Sequence, residues 1–184
     1  MFCEGTKTEP DYIESLRQEP AVRDLASVAI RMEASGAVPL TLVNAAAEAR
    51  ARSLRGQGEV DEVWCLFDVE QPKHHPDLDK AIERARGSDV RLAISNPCFE
   101  LWLALHFQDR TAWLSTNAAQ KLRPKHDGGE GKGLKGALYM PRRSDAAQRA
   151  RSLTEKHEGD ATIFPHDNPS SGMYRFLAAV ESTE

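Results

Sequence analysis

Four acidic side chains lie where the sequence predicts the end of a strand or the start of the next helix. Glu4 follows a short apolar start, Asp68 and Glu70 follow the apolar run 63–67, and Glu100 comes after the next predicted strand. Magnesium and manganese ions bind oxygen ligands, so two or three convergent carboxylates can hold one. Such an ion can deprotonate a water and stabilise both oxygens of an in-line phosphoryl displacement. The four acids are therefore candidate catalytic residues for metal-dependent hydrolysis of phosphodiester bonds.

The spacing of these acids suits one shared edge of a sheet, because active sites of open α/β sheets lie outside the carboxyl ends of the strands. Asp68 and Glu70 are two residues apart, so an extended chain would point both side chains to one side. Gly5 lets the chain turn sharply after Glu4. Glu100 falls in the first turn of a helix, where the helix dipole favours a negative charge by about 0.3–1 kcal/mol. We expect Glu4, Asp68 and Glu70 to be metal ligands and Glu100 to be an additional ligand or an orienting acid.

Strands alternate with helices along the chain, which predicts an α/β domain with a mostly parallel sheet flanked by helices. Strands are expected at 1–3, 27–32, 63–67, 90–94 and 161–164. Helices are expected at 8–18, 40–55, 76–86, 98–107, 143–156 and 170–180. The unbroken apolar run after Glu62 is typical of a strand that is covered on both faces. Residues 1–184 show no repeat and no boundary, so we expect a single domain.

Each acid also has an ordinary structural explanation, and the sequence alone leaves these alternatives open. Glu4 could be a surface acid, the Asp-x-Glu pair could simply end a strand, and Glu100 could serve only the helix dipole. Thr6-x-x-Glu9 fits a capping box, which indicates that Glu9 helps to start the first helix rather than binding a ligand. Only the joint placement of the acids favours a site.

The charge distribution is uneven along the chain. The 24 basic and 28 acidic residues give a net charge of −4, which argues against a protein that coats nucleic acid uniformly. The glycine-rich segment 121–143, by contrast, holds seven basic against two acidic residues. We expect it to be a basic insertion loop whose contacts with a nucleic acid backbone come from four residues: Lys132, Lys135, Arg142 and Arg143. A solvated surface loop is the alternative.

Several other functions are disfavoured by the sequence. No apolar run is long enough for a membrane span, and the N-terminus does not resemble a signal peptide. Cys3, Cys65 and Cys98 lack metal-ligand spacing, so reduced thiols in a cytoplasmic protein are expected. The glycines of 131–136 fit neither a dinucleotide fingerprint after a strand nor a Walker A loop. We also expect the pair His74-His75 to be exposed rather than to bind zinc.

Four segments of the sequence resemble motifs of one known family, the RloB-like proteins. They are Cys3-Glu4-Gly5-Thr6-Lys7-Thr8-Glu9-Pro10-Asp11-Tyr12, Phe67-Asp68-Val69-Glu70, Ser95-Asn96-Pro97-Cys98-Phe99-Glu100-Leu101-Trp102 and Asp167-Asn168-Pro169-Ser170-Ser171. The resemblance spans nearly the whole chain, and the third segment is the most specific of the four.

The resemblance implies a Toprim-like (Rossmann-like) fold, in which a glutamate after the first strand and an Asp-x-Asp after the third form a magnesium site. Glu4 matches the first position, and Asp68 with Glu70 matches the second. Two features of this sequence differ from the pattern. The second acid of the pair is a glutamate, and only three residues precede Glu4, so the first strand is either truncated or begins upstream of Met1.

The resemblance further implies an anti-phage defence role beside an ABC-type or AAA-type ATPase. The leading hypothesis is a Mg²⁺- or Mn²⁺-dependent nuclease that acts on RNA, such as tRNA, or on DNA. The alternatives are a non-catalytic module that docks on the ATPase, and a phosphotransferase or primase-like enzyme. A homodimer is also expected to be compatible with the sequence.

Overall fold

A five-stranded sheet forms the centre of the computed structural model, which describes residues 1–23, 31–32, 38–56, 60–128 and 133–181. The strands are β1 (Phe2–Cys3), β2 (Arg31–Met32), β3 (Val63–Asp68), β4 (Val90–Asn96) and β5 (Ser170–Ser171). Their order is β2-β1-β3-β4-β5, and only β5 runs antiparallel to its neighbour. This mostly parallel sheet confirms the predicted α/β class and fits a Toprim-like fold.

Helices surround this sheet. Their bounds are α1 (Thr8–Arg17), α2 (Pro20–Arg23), α3 (Pro39–Leu54), α4 (Leu78–Arg86), α5 (Phe99–Leu105), α6 (Thr116–Gln120), α7 (Pro124–Asp127), α8 (Gly136–Tyr139), α9 (Arg143–Gly159) and α10 (Met173–Glu181). No helix among the described residues is long and apolar enough to cross a membrane.

The apolar residues of β3 pack alternately into two separate cores, as the two-residue period of a strand requires. Trp64 and Leu66 belong to the core that includes α1, α5, α9 and α10. Cys65 and Phe67 belong to the core that α3 and α4 complete. Val63 to Phe67 are all buried, which confirms the prediction of a strand covered on both faces.

The register of the sheet places the sequence-predicted acids at one edge. Cys3 pairs with Leu66 and Asp68 pairs with Ser95. The backbone N–H of Glu4 continues the ladder by donating to Leu66 O at 3.0 Å. The carboxyl ends of β1, β3 and β4 therefore meet side by side, as parallel strands in register must.

Two sequence predictions near the C-terminus are wrong. Residues 161–164 form no strand, and the helix expected from residue 170 begins only at Met173. Ser170 and Ser171 instead pair with the end of β4. Gly172 allows this close approach, since a Cβ there would lie 3.1 Å from the backbone N of Ile94. A two-residue strand is too short to leave a periodic pattern in the sequence.

The described part of the basic segment 121–143 is folded against α1. The backbone N–H of Leu134 donates to Asp11 Oδ2 at 3.1 Å, and a Cβ at Gly136 would overlap Ser15. The buried Tyr139 donates its hydroxyl proton to Asp127 Oδ2 at 2.9 Å. The segment thus contributes α7, α8 and part of a core, while residues 129–132 lie outside the described part of the chain.

Candidate metal centre

Glu4 connects the ends of the two central parallel strands. It directly follows β1, and its Oε2 accepts a hydrogen bond of 3.1 Å from the backbone N–H of Asp68 at the end of β3. The predicted meeting of acids from distant parts of the chain is therefore present in the fold. Burial and the neighbouring charge of Glu70 raise the pKa of Glu4, while the Asp68 N–H and His75 act in the opposite direction.

Glu9 joins this group, although the sequence favoured a capping role for it. The N-cap of α1 is Lys7 rather than Thr6, and no side chain caps the helix. Glu9 lies in the first turn with only 9% of its surface exposed. Its carboxylate occupies the space that a side chain of residue 5 would fill, because a Cβ at Gly5 would overlap it. The glycine after Glu4 therefore makes room for a second carboxylate.

Asp68 and Glu100 complete a group of four acids. Asp68 ends β3 and Glu100 lies in the first turn of α5, and both are partly buried. Burial first, then the charges of Glu9, Glu4 and Glu100, raise the pKa of Asp68 well above its usual value. A hydrogen bond from the backbone N–H of Phe99 opposes this shift. Four carboxylates from three stretches of the chain therefore influence one another.

The electrostatics of this acidic group (Glu4, Glu9, Asp68 and Glu100) are those of crowded negative charge. Burial, followed by the charges of Glu100 and Glu4, raises the pKa of Glu9 to about 7. At neutral pH this carboxyl group is therefore close to half protonated. Like charges held this close favour either a retained proton or a bound cation.

His75 is a neighbour that the sequence analysis missed. Its Nε2 lies 2.8 Å from Glu4 Oε1, so the pair forms a salt bridge when the imidazole is protonated. The backbone at this residue is held in place because the N–H of His75 donates to Val69 O at 3.2 Å. The expected exposure of the His74-His75 pair is thus wrong, because both residues are only partly exposed. A loop contact of this kind leaves no periodic signal in the sequence.

The backbone at Glu70 differs from the extended conformation that the sequence predicted. β3 ends at Asp68, and Glu70 adopts a left-handed backbone with φ of 66°. The two residues therefore do not form the extended pair that the sequence suggested. The turn is fixed by a hydrogen bond of 2.9 Å from the backbone N–H of Glu70 to Pro97 O. Glu70 still contributes to the field at Glu4, whose pKa it raises.

The donor set of the acidic group suits a hard divalent cation, because it consists of carboxylate oxygens without thiolate ligands. Within the described part of the chain, however, no three His, Cys, Asp or Glu side chains are placed so that they could hold a metal ion as they stand. The chemistry of the donors therefore fits magnesium, but the described side chains form no ready site as they stand, and Glu4 is paired with His75.

A network of side-chain amides supports the edge of the sheet next to the acids. Asn168 Nδ2 donates to Asn96 Oδ1 at 3.1 Å and to Leu114 O at 2.9 Å. Gln71, which directly follows Glu70, donates from Nε2 to the same Asn96 oxygen at 3.3 Å. Asn96 and Asn168 come from two of the four motifs that carry the family resemblance. In the fold, they join the end of β4 to two loops.

Three of the four residues expected to contact nucleic acid have partners within the fold. Arg143 is held by Glu181 at 2.6 Å and Glu19 at 3.2 Å. Lys135 Nζ donates to Asp127 O at 2.9 Å. Arg142 is exposed and lies over the ring of Phe107. Lys132 lies outside the described residues, so its predicted role stays a prediction.

Comparison with known proteins gives one assignment. No curated protein and no solved structure matches the chain. The family model described as RloB-like protein matches residues 1–180. This match covers all four sequence motifs and every acid of the candidate centre, which confirms the resemblance seen in the sequence. The chain therefore belongs to the RloB-like family.

Proposed function

We propose that this protein is a nuclease that hydrolyses phosphodiester bonds with the help of Mg²⁺ or Mn²⁺. The observation that carries the proposal is the convergence of four acids, two of them tied by the hydrogen bond between Glu4 Oε2 and the Asp68 N–H. Structural acids are rarely gathered in this way, since their mutual repulsion destabilises the fold unless a proton or a cation is present.

Glu4, Asp68 and Glu70 are the proposed metal ligands, and Glu9 and Glu100 are placed to add carboxylate oxygens. A bound divalent cation supplies charge stabilisation for the pentavalent phosphorus and lowers the pKa of a coordinated water. Glu9 has a pKa of about 7, which suits a group that takes up a proton from the attacking water at neutral pH. Glu4, whose pKa is also raised, is the second candidate for this proton transfer.

The proposed substrate is nucleic acid, either RNA such as tRNA or DNA, and the proposed setting is anti-phage defence with an ATPase partner. Membership of the RloB-like family supports this reading. A homodimer is compatible with the proposal. The net charge of −4 indicates that contacts with the substrate are local rather than spread over the whole surface.

The test is metal-dependent cleavage of tRNA, single-stranded DNA and duplex DNA by the wild-type protein and by Asp68→Asn. The variant keeps the size of the side chain and removes its charge, so we expect the rate to fall by about a hundredfold or more. Asp79→Asn is the matched control, because Asp79 is an exposed residue of α4. Equal cleavage by wild type and Asp68→Asn would contradict the proposal, as would no cleavage by the wild type with any metal or ATPase partner.

A non-catalytic docking module is the second candidate, and one observation favours it. His75 Nε2 lies 2.8 Å from Glu4 Oε1, and the described side chains form no ready metal site. In that case the acids and His75 would serve a structural or signalling role. Calorimetric titration with Mg²⁺ and Mn²⁺ separates the two candidates, because absence of binding at millimolar concentration favours the module.

A further inference from the structure

Trp113 is exposed in a protein whose other two tryptophans are buried. The residue retains 57% of its accessible surface, whereas Trp64 and Trp102 retain 6% and 0%. It lies in the segment 106–115 between α5 and α6. Leaving an indole in water forgoes the stabilisation that burial of a large aromatic side chain provides. A lone exposed apolar residue is ordinary, so the surroundings decide whether Trp113 has a role.

Hydrogen bonds hold two residues that closely follow Trp113, namely Leu114 and Thr116. The backbone N–H of Leu114 donates to Asn168 Oδ1 at 2.8 Å, and Leu114 O accepts from Asn168 Nδ2 at 2.9 Å. Thr116 exchanges two hydrogen bonds with the backbone of Gln71, at 2.9 and 3.1 Å. The indole is thus presented from a preorganised backbone, which lowers the entropy that a ligand contact would cost.

These same contacts connect the segment that carries Trp113 to the loop that follows Glu70. Gln71 is the residue after Glu70, and its backbone is the part that Thr116 binds. Three residues of chain span at most about 10 Å, so the Cα of Trp113 lies within about 10 Å of that of Thr116. The two segments that these hydrogen bonds join each carry an exposed lysine: Lys73 lies two residues after Gln71, and Lys121 directly follows α6. The joined segments therefore present one exposed aromatic ring and two exposed cations.

We propose that Trp113 is a stacking platform for an unpaired base of a nucleic acid bound at the acidic centre. A flat exposed ring with cations nearby is the combination that single-stranded nucleic acids recognise, because each base has an apolar face and each phosphate a negative charge. A base inside a duplex is already stacked on both faces and cannot use this surface. This inference rests on the proposed function and narrows its substrate to chains with at least one unpaired base.

The experiment measures binding rather than cleavage, in EDTA, with short fluorescein-labelled RNA and DNA oligonucleotides in single-stranded and duplex form. Stacking of one base is worth about a five- to hundredfold change in affinity. Trp113→Ala is expected to lose this amount on single strands while duplex affinity changes by about twofold or less. Trp113→Phe keeps an aromatic face and is expected to retain affinity within about threefold. Leu54→Ala is the matched control, because Leu54 is 70% exposed at the end of α3.

Intrinsic fluorescence gives an independent readout, since Trp113 is the exposed fluorophore. Single-stranded oligonucleotides are expected to quench wild-type emission and to shield it from acrylamide, and an oligonucleotide with abasic sites is expected to do neither. Equal affinity of Trp113→Ala and wild type for single strands would overturn the inference, and so would a wild type that binds no oligonucleotide. Binding that depends on Trp113 but occurs without cleavage would support this inference and count against the proposed nuclease. Cleavage that is unaffected by Trp113→Ala would support the nuclease and count against this inference.

Discussion

Glu4 Oε2 accepts a hydrogen bond of 3.1 Å from the backbone N–H of Asp68, so a carboxylate from the first strand closes the gap to the end of the third. The same carboxylate has its second oxygen 2.8 Å from His75 Nε2. Glu4 therefore has one hydrogen-bond donor that belongs to the sheet and one ion-pair partner that belongs to a loop. Loss of the His75 contact would therefore free one oxygen of Glu4 while the hydrogen bond from the Asp68 N–H is kept.

The substitution Glu4→Gln separates the charge of this residue from its hydrogen bond. Glutamine keeps an oxygen that accepts from the Asp68 N–H but carries no negative charge. We expect the free energy of unfolding without metal to stay within about 1 kcal/mol of wild type, because one buried charge and its repulsion are removed together. The affinity for Mg²⁺ is expected to fall by about tenfold or more, since it depends on the number of charged ligands. Urea unfolding and calorimetry measure the two quantities.

The control for this variant is Glu14→Gln, which makes the same change on the outer face of α1. Glu14 is 52% exposed, and among the described residues it pairs with its near neighbours Arg17 and Gln18. A surface pair of this kind contributes about 0.5 kcal/mol or less, so both readouts should match wild type. Wild-type Mg²⁺ affinity in Glu4→Gln would remove Glu4 from the set of ligands.

Gly5→Ala tests whether the missing side chain makes room for Glu9. The added Cβ would overlap the Glu9 carboxylate, so either that side chain or the backbone must move. We expect a loss of about 1–3 kcal/mol in the free energy of unfolding, as for other overpacked positions. The loss should be smaller when Glu9→Ala is already present, because the overlapping group is then gone. Denaturant unfolding of the two single variants and the double variant measures this coupling.

Gly159→Ala is the matched control for that experiment. A Cβ at Gly159, the last residue of α9, would meet no atom within 4 Å. The substitution is expected to leave stability unchanged or to raise it by about 0.4–1 kcal/mol through the unfolded state. Additive effects of Gly5→Ala and Glu9→Ala would show that the glycine is needed for its backbone and not for the carboxylate.

The raised pKa of Glu9 makes a prediction about pH. Its pKa is about 7 in the folded state and 4.5 in the unfolded state, so the folded state binds more protons between these two pH values. The contribution of Glu9 to stability is therefore fully present below about pH 4.5 and is lost as the pH rises through 7. We expect metal-free Glu9→Gln to gain about 1–3 kcal/mol relative to wild type between about pH 5 and pH 8.

The measurement is urea unfolding in EDTA at several pH values across this window. Glu158→Gln serves as control, because Glu158 is an exposed residue of α9 and should follow the wild-type curve. Parallel curves for wild type and Glu9→Gln would mean that Glu9 is ionised in the fold at neutral pH. The concentration of negative charge around it would then need another explanation.

The sequence predicted the acids that come after strands and missed Glu9, which lies in the first turn of α1. Glu4 and Asp68 could be placed together because β1 and β3 are parallel, and parallel strands in one sheet bring their carboxyl ends to the same edge. Glu9 had a sufficient local explanation in the capping-box pattern. Its membership of the acidic group depends on its burial and on the charges of Glu100 and Glu4, and the local pattern around Glu9 does not contain the contribution of the distant Glu100.

The C-terminal motif shows a different limit. The Asn-Pro-Ser run was expected to start a helix, but Ser170 and Ser171 pair with β4 and Asn168 reaches Asn96 across 72 positions of sequence. Local propensity cannot compete with side-chain hydrogen bonds formed by distant residues. The helices with long apolar faces, such as α3 and α9, were predicted to within a few residues at each end because burial of one face fixes their period.

Asn168→Asp tests whether the hydrogen bonds of Asn168 hold the segment that contains Leu114 and Trp113. The Nδ2 of Asn168 faces two acceptors, Asn96 Oδ1 and Leu114 O, and the residue is buried. An aspartate would place a carboxylate oxygen against both acceptors, so we expect a loss of about 2–4 kcal/mol in the free energy of unfolding at neutral pH. The loss should shrink in acid, where a protonated carboxyl group can donate again.

Asn117→Asp makes the same chemical change at an exposed position in the first turn of α6. A negative charge there is favoured by the helix dipole, so its stability should stay within about 0.5–1 kcal/mol of wild type and not fall. Hydrogen exchange of the Leu114 N–H, which Asn168 Oδ1 accepts, gives the local readout and should accelerate in Asn168→Asp only. If both variants unfold at the same urea concentration as wild type, the loops are held by packing, and the amides of Asn96 and Asn168 do not decide where the segment bearing Trp113 lies.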